Sequence, residues 1–344
     1  MHHILIVKLR YIGDVLLATP TVRAIKAAWP AVRITMLVNA GTEAVLQHNP
    51  DIDRILVLRK DSWPAQYRLL ADLRREPIDC VIDLTDGDRS AWLSWLSGAA
   101  QRIGFNDERR WRGQLYSHVV RSAAAHRIER DLDALAPLGL SSTDRTPRLF
   151  LTQDEDTQAT ALLEQCGVTA GSPFVVLQPG ARYWFKAWPV ERFAELADIL
   201  TAQYGYRVLV GGGAEDRPAA ERIVALSASK PVSIAGQAPL RSFAALLRRA
   251  RLFIGNDGGA MHIAAAVGTP LVALFGPSNP AEWGPRSSSA EVIYKGIDCR
   301  ICFHPTCERG EQNCMRLITV DEVMAAASRM LKAAPSQGGR NGWG

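Results

Sequence analysis

Short apolar runs rich in β-branched residues alternate along this chain with longer stretches in which apolar positions recur every three or four residues. Runs of the first kind, at Ile4–Lys8, Ile34–Val38, Ile55–Leu58, Val81–Leu84 and Arg102–Gly104, predict strands. Stretches of the second kind, at Val15–Ala28, Ser62–Arg75 and Arg89–Ser97, predict the helices between them. The strands are apolar almost throughout rather than on alternate residues. Both faces of their sheet must therefore be covered, which is the pattern of a parallel sheet between helical layers. The pattern then starts again, with strands expected at Phe174–Leu177, Arg207–Val210, Val232–Ile234, Leu252–Gly255 and Leu271–Phe275. Helices are expected between these at Val190–Ala202, Arg217–Ala228, Leu240–Ala250 and Gly259–Val267. The fold class read from this is α/β, with two doubly wound, Rossmann-like domains in tandem.

From Pro137 to about Asp154 the chain is polar and carries Ser141, Ser142, Asp144 and Pro147. That stretch sets the expected domains at 1–152 and 153–334. A last helix is expected at Val320–Lys332, and the polar, Gly-rich 335–344 is expected to be a disordered tail. Tandem sheets of this kind make a cleft at the carboxyl ends of their strands, where such sheets bind ligands. The loops that follow the strands are therefore where chemistry is sought.

Composition narrows the classes. The 344 residues suffice for two cores, and 47% hydrophobic against 22% charged residues is a globular balance rather than a disordered one. The longest apolar candidate, 261–275, is interrupted by His262, Gly268 and Pro270 and falls short of the roughly 20 residues that span a bilayer. Met1–Val7 runs into Lys8, Arg10 and Asp14 without a small-residue cleavage site, so no secretory signal is read and the expected compartment is the cytoplasm. The six cysteines are then expected to be reduced. A net charge of +5, with Arg far outnumbering Lys, suits anionic partners: nucleic acid, an anionic membrane face or a phosphorylated substrate.

Four strand-end loops carry candidate chemistry. In Lys8-Leu9-Arg10-Tyr11-Ile12-Gly13-Asp14, Gly13 allows a tight backbone and Asp14 opens a helix. Asp14 reads either as an ordinary helix N-cap or as a carboxylate placed to take a proton from a sugar hydroxyl. In Gln178-Pro179-Gly180-Ala181-Arg182, followed by Lys186 before Trp188-Pro189, a Gly at a strand end lets backbone N–H groups approach a phosphate. Lys186 is a point charge for a diphosphate or a solvated surface lysine. Gly211-Gly212-Gly213, with Glu215, Asp216 and Arg217 next, opens a phosphate- or ribose-sized space or is simply a flexible loop; it matches neither the dinucleotide nor the Walker fingerprint. The fourth loop is the most specific: Gly255-Asn256-Asp257-Gly258-Gly259-Ala260-Met261-His262 ends a strand and opens a helix, with two glycines at the turn and His262 within the first turns. His262 alone also reads as a core histidine.

Two further groupings stand apart. Cys299, Cys302, Cys307 and Cys314, with His304 among them, are a possible structural zinc or iron–sulfur site, or a set of reduced loop thiols. Asp86-Gly87-Asp88 has the spacing of a metal-binding triplet but lies in the N-terminal half, away from the glycine-rich loops of the second.

Taken together, Ile4–Asp14 with Thr19-Pro20, Arg102-Ile103-Gly104-Phe105, Trp184-Phe185-Lys186, Asp257–His262 and Phe275-Gly276-Pro277 resemble the landmarks of the lipopolysaccharide heptosyltransferases, glycosyltransferase family 9, in the family's order. The resemblance runs from Ile4 to about Leu331 and is nearest to the heptosyltransferase III type, which adds a branching heptose to the second core heptose. It implies a GT-B fold with an N-terminal acceptor domain and a C-terminal nucleotide-sugar domain. It implies ADP-heptose as donor, inverting direct displacement, Asp14 as general base and Lys186 as the group that stabilises the departing phosphates. Asp257, Gly258, Gly259 and His262 would line the donor site, and Glu215 or Asp216 would meet the adenosine ribose. Family members often carry hydroxyl side chains where this chain has Gly180 and Ala181, so phosphate contacts there, beside Arg182, fall to the backbone.

The acceptor implied is a lipid-anchored, phosphorylated oligosaccharide met by Lys8, Arg10 and Gly13. Arg109, Arg110 and Arg112 beside Trp111 are a second candidate surface for it, or else a solvated basic loop. The enzyme would then work peripherally at the cytoplasmic face of the inner membrane. No cofactor is required by this chemistry, since Lys186 and helix N-termini can offset the diphosphate. The rival readings are a family-9 transferase with another donor or acceptor sugar, and a non-catalytic nucleotide- or nucleic-acid-binding protein; neither a helix-turn-helix nor an RNP-type signature supports nucleic acid.

Overall fold

The computed structural model describes residues 1–169, 171–297 and 306–333. The chain divides into two compact units, Met1–Phe150 and Leu151–Gly344, inside the polar stretch that begins at Pro137. The expected tail at 335–344 lies outside the described residues.

The first unit holds six strands: β1 (His3–Lys8), β2 (Arg33–Asn39), β3 (Arg54–Leu58), β4 (Cys80–Asp83), β5 (Gln101–Phe105) and β6 (His118–Val120). They pair in parallel in the order β3-β2-β1-β4-β5-β6. The second unit holds β7 (Phe174–Gln178), β8 (Arg207–Val210), β9 (Val232–Ser233), β10 (Leu252–Asn256), β11 (Leu271–Phe275) and β12 (Ala290–Tyr294). Their order, β12-β11-β10-β7-β8-β9, is the same topology repeated, again wholly parallel. In each unit the chain runs outward from the first strand, then returns to the other side of it to lay down the fourth. The reversal points are thus β1/β4 and β7/β10, where ligands bind in open α/β sheets.

Burial explains why these segments are strands. Ile4, Leu5, Ile6 and Val7 are fully buried on both faces of β1, as are Phe253 and Ile254 of β10. Each such side chain contributes about 1.5–3 kcal/mol relative to exposure. The second unit's core is closed from one side by Trp188 and Phe193, whose rings meet edge to face at 4.9 Å, and from the last helix (Val320–Ala333) by Val323 and Met324.

The structure departs from the sequence reading in a few elements. The helix expected at Val15–Ala28 is two, Ile12–Leu17 and Thr19–Ala28. Pro20 has no N–H to return to the Leu16 carbonyl, and the Thr19 hydroxyl donates to it instead at 2.8 Å. Strands β6 and β12, at sheet edges, were not expected, nor were the helices Arg127–Asp133 and Gln153–Gln165.

Candidate active site

At the second unit's reversal point the loops after β7 and β10 are tied together. The Asn256 side chain does the tying: its Nδ2 donates to the Pro179 carbonyl at 2.7 Å, and its Oδ1 accepts the Trp188 N–H at 3.1 Å. Trp188, 1% exposed, is itself anchored by its indole N–H on the Ile318 carbonyl at 3.0 Å. This fixes the short turn Trp184–Lys186 just before it, on which Tyr183 and Phe185 stack with centroids 5.1 Å apart. The result is a held ammonium. Lys186 Nζ donates to Asp257 Oδ2 at 2.7 Å, with the lysine side chain 20% exposed and the aspartate 6%. Asp257 lies immediately before Gly258, the residue that caps the helix Gly259–Ala266. A buried carboxylate there gains from the helix N-terminus as well as from the lysine. The same N–H groups and ammonium can also take up an arriving phosphate.

The β8 loop contributes a second carboxylate. Asp216 Oδ2 accepts the Gly213 N–H at 2.9 Å and the Gln178 amide at 3.3 Å. Burial raises the Asp216 carboxyl above its ordinary range, against the pull of Gly213 and with the push of the Glu215 charge. A Cβ on Gly180 would lie 2.3 Å from this carboxylate, and one on Gly212 would lie 2.5 Å from the Asp216 Cβ. A side chain at either position would have to displace Asp216. Glu215 is exposed, Ala181 half-buried, Arg182 exposed within reach of the Tyr183 ring, and His262 buried at 5% exposure one turn into its helix. Lys186, Asp257, Gly258 and Gly259 are thus brought to one strand-end region, and Gly180 and Asp216 to its neighbour.

In the first unit Asp14 is buried to 9% exposure and sits in the first turn of Ile12–Leu17, whose N-cap is Tyr11. It makes no cap bond. Among the described residues its carboxylate has no hydrogen-bond or ion-pair partner, so the N-cap reading is corrected. Arg10 donates through Nε and Nη2 to the Thr85 carbonyl at 3.1 and 2.9 Å, and Thr85 Oγ1 accepts the Leu9 N–H at 2.7 Å. The two loops at this reversal point are tied as those of the second unit are.

Lys8 does something other than meet a ligand. It is 1% exposed, with Nζ on Asp131 Oδ2 at 2.6 Å and on the Leu84 carbonyl at 3.1 Å. Beside it Asp83 is fully buried and accepts the Tyr116 hydroxyl at 2.7 Å; burial raises its carboxyl. Asp131 and Asp83 were missed in the sequence, and Asn256 was named only as part of its loop, without a role. Asp131 lies in the unexpected helix Arg127–Asp133, whereas Asp83 and Asn256 carried a readable signal, being polar residues at the ends of apolar strands.

The arginine cluster also differs from its reading. Arg112 is buried and binds Asp86 at 2.8 Å, Asp88 at 3.2 Å and Glu108 at 3.3 Å. Arg110 binds Asp88 and Glu108 at 3.2 and 3.4 Å. Arg130 joins them through Asp86 and Asp107 while stacking on Phe105. Of the three arginines proposed to meet an acceptor, Arg109 alone is exposed without an acidic partner among the described residues. Asp86 and Asp88 hold guanidinium in place of a metal.

Cys299 and Cys302 lie outside the described residues. Cys314 is buried in the second unit's core and Cys307 half-buried. Among the described residues no group of three or more His, Cys, Asp or Glu side chains could hold a metal ion, and no helix is long and apolar enough to cross a membrane.

Two wholly parallel, doubly wound six-stranded sheets of like topology in one chain are the architecture of a GT-B glycosyltransferase. The model of glycosyltransferase family 9 (heptosyltransferase) matches residues 66–312. The chain is 30% identical to lipopolysaccharide heptosyltransferase 3 of Escherichia coli over 95% of its own length and 98% of that protein's. Among solved structures it superposes on a family-9 glycosyl transferase of Veillonella parvula with a TM-score of 0.85 at 26% identity, covering 97% and 98% of the two chains. The ADP-heptose lipopolysaccharide heptosyltransferase II of E. coli gives 0.79 at 25% identity over 96% and 99%. The chain belongs to glycosyltransferase family 9 and has its GT-B fold.

Proposed function

We propose that this enzyme transfers a heptose from ADP-heptose to the inner core of lipopolysaccharide, with inversion, and that it adds the branching third heptose. The observation that carries this is the 30% identity to lipopolysaccharide heptosyltransferase 3 over 95% of the chain. Likeness to the ADP-heptose enzyme supports the donor.

In this reading the Asp14 carboxylate accepts the proton of the acceptor hydroxyl as its oxygen bonds to the anomeric carbon. The bond from that carbon to the diphosphate oxygen breaks on the opposite face, and its electron pair leaves with ADP. Lys186 and the N–H groups at Gly258-Gly259 offset the charge that collects on the diphosphate, an electrostatic contribution that grows toward the transition state. Asp257 holds Lys186 in place until phosphate oxygens share it. Backbone N–H groups of Gly180 and Ala181, with Arg182, meet the phosphates; Asp216 and Glu215 accept the ribose hydroxyls; His262 lines the same site. Arg10, Gly13 and Arg109 face the acceptor. That acceptor is lipid-anchored and phosphorylated, so the enzyme acts at the cytoplasmic face of the inner membrane.

Asp14→Asn tests the base. Transfer should fall by about 10²–10⁴-fold while ADP binding by calorimetry stays as in the parent. Near-normal turnover overturns the assignment. Product masses from cores carrying one or two heptoses decide which heptose is added.

A further inference from the structure

We infer that a face of the first unit, built by the helices Trp63–Arg75 and Asp88–Leu96, docks this enzyme on an anionic lipid bilayer. The inference rests on the proposed lipid-anchored acceptor only for its purpose; the surface stands on its own residues.

The two helices flank an open apolar groove of about 350 Å³, lined by Leu69 and Leu70 from one and by Trp92, Leu93 and Leu96 from the other. Large aromatic side chains crowd its rim instead of closing it. Trp63 is 84% exposed and Tyr67 78%, and the two stand four residues apart on the helix stripe that continues through Leu70 to Arg74. Arg74 reaches across to the Leu96 carbonyl at 3.2 Å, so this stripe borders the groove. On the other side Trp92 touches Trp95 and Trp111 at centroid distances of 5.7 and 5.6 Å, and all three rings are over two-fifths exposed. An indole or phenol with an apolar body and a polar tip is the side chain that settles at the level of lipid headgroups.

Charge selects the occupant. Arg59 and Lys60 precede Trp63 in the chain, Arg68 follows Tyr67, Arg74 borders the groove and Arg89 lines it; all five are exposed, and none pairs with an acid among the described residues. The acids nearby are largely committed: Asp72 to Arg54 and Arg75, Asp88 to Arg110 and Arg112. Of the nearby acids among the described residues, Asp61 alone is exposed and unpaired. A second copy docked on this face about a two-fold axis would set cations against cations. An anionic bilayer instead complements the cations with its headgroups and the rings with its interfacial layer.

Sedimentation with vesicles containing phosphatidylglycerol, against vesicles of phosphatidylcholine alone, tests the inference. The full chain should bind the anionic vesicles and lose that binding in high salt. A Trp63→Ser, Tyr67→Ser, Trp95→Ser variant and an Arg68→Glu, Arg89→Glu variant should each partition at least about tenfold less. Leu226→Ser, at an exposed apolar residue of the second unit, should bind as the parent does. ADP affinity and transfer to a delipidated core oligosaccharide should be unchanged in all of them. Parent-like vesicle binding by both surface variants overturns the inference, as does absence of binding by the parent. Loss of a dimer, or of oligonucleotide binding, in the same variants without vesicle binding by the parent assigns the face to another partner and also overturns it. Failure of the parent to glycosylate the delipidated core would count against the proposed function and leave the docking surface standing.

Discussion

Each unit places a lysine–aspartate pair near the reversal point of its sheet, and the two pairs are built for different ends. Lys8 and Asp131 are 1% and 0% exposed, and burial raises the Asp131 carboxyl even against the pull of Lys8. Lys186 and Asp257 are held at a nearly equal distance, but the lysine remains 20% exposed beside a helix N-terminus. The first pair has no access to a ligand and can serve only the fold. The second can exchange part of its carboxylate contact for phosphate oxygens. Solvent access, more than the identity of the residues, separates the pair that serves the fold from the pair proposed to meet the diphosphate.

The largest expected effect comes from breaking the buried pair. Lys8→Met takes the ammonium partner from the buried Asp131 carboxyl and should cost about 3–5 kcal/mol in urea unfolding. The double variant Lys8→Met, Asp131→Leu removes both charges and should recover most of that loss. If the single variant unfolds like the parent, the pair is not what fixes the carboxyl end of β1.

Lys186→Ala should have its effect on turnover instead. The expected fall in kcat is about 10²–10³-fold, the scale for losing one donor to developing charge. Its stability should change by about 1 kcal/mol or less, since the helix N-terminus and water remain for Asp257. Loss of stability matching that of Lys8→Met, with turnover retained, would erase the contrast between the two pairs.

A smaller effect sharpens the local geometry. Gly180→Ala sets a methyl group 2.3 Å from the Asp216 carboxylate and should cost about 1–3 kcal/mol. Asp216→Ala in the same chain should relieve most of it, a coupling measurable as a double-mutant cycle. Additive losses would mean that Asp216 is not what excludes a side chain at position 180.

How much of this was legible in the sequence follows from the same physics. The central strands were readable because parallel strands buried on both faces must be apolar throughout, as β1 and β10 are. Strands β6 and β12 were not, because exposed and polar positions break their apolar runs: His118 and Val119 are exposed, and Glu291 and Tyr294 interrupt β12. The helix Gln153–Gln165 hid because it is held through charges, with Glu155 on Arg241 and Asp156 on Arg248, and shows little apolar stripe. The glycine-rich loops of the second unit were legible as tight strand-end turns, and what the missing side chains at Gly180 and Gly212 make room for is the Asp216 side chain. The arginines at 109–112 misled because their neutralising acids, Asp86 and Asp88, come from a turn more than twenty residues earlier. A one-dimensional run of charge shows nothing of the partners that folding brings to it.

The smallest expected effect on stability concerns Asp14, a carboxylate at the first unit's reversal point that the fold does not use. Asp83 is buried against Tyr116 and Asp131 against Lys8, whereas Asp14 has no side-chain partner among the described residues and makes no cap bond. Its only structural contribution is a negative charge in the first turn of Ile12–Leu17, worth about 0.3–1 kcal/mol. Asp14→Ala should therefore shift urea unfolding by no more than that, and Asp14→Asn, which removes the charge alone, by a similar amount or less. Asp131→Asn in the same assay should lose several times as much, because it takes the countercharge from a buried ammonium. A loss of about 2 kcal/mol in Asp14→Ala would show that the carboxylate caps or pairs within the fold after all, and would remove the ground for separating it from Asp131. A loss within the expected range, alongside the expected fall in transfer by Asp14→Asn, would place the whole role of this buried carboxylate in the reaction.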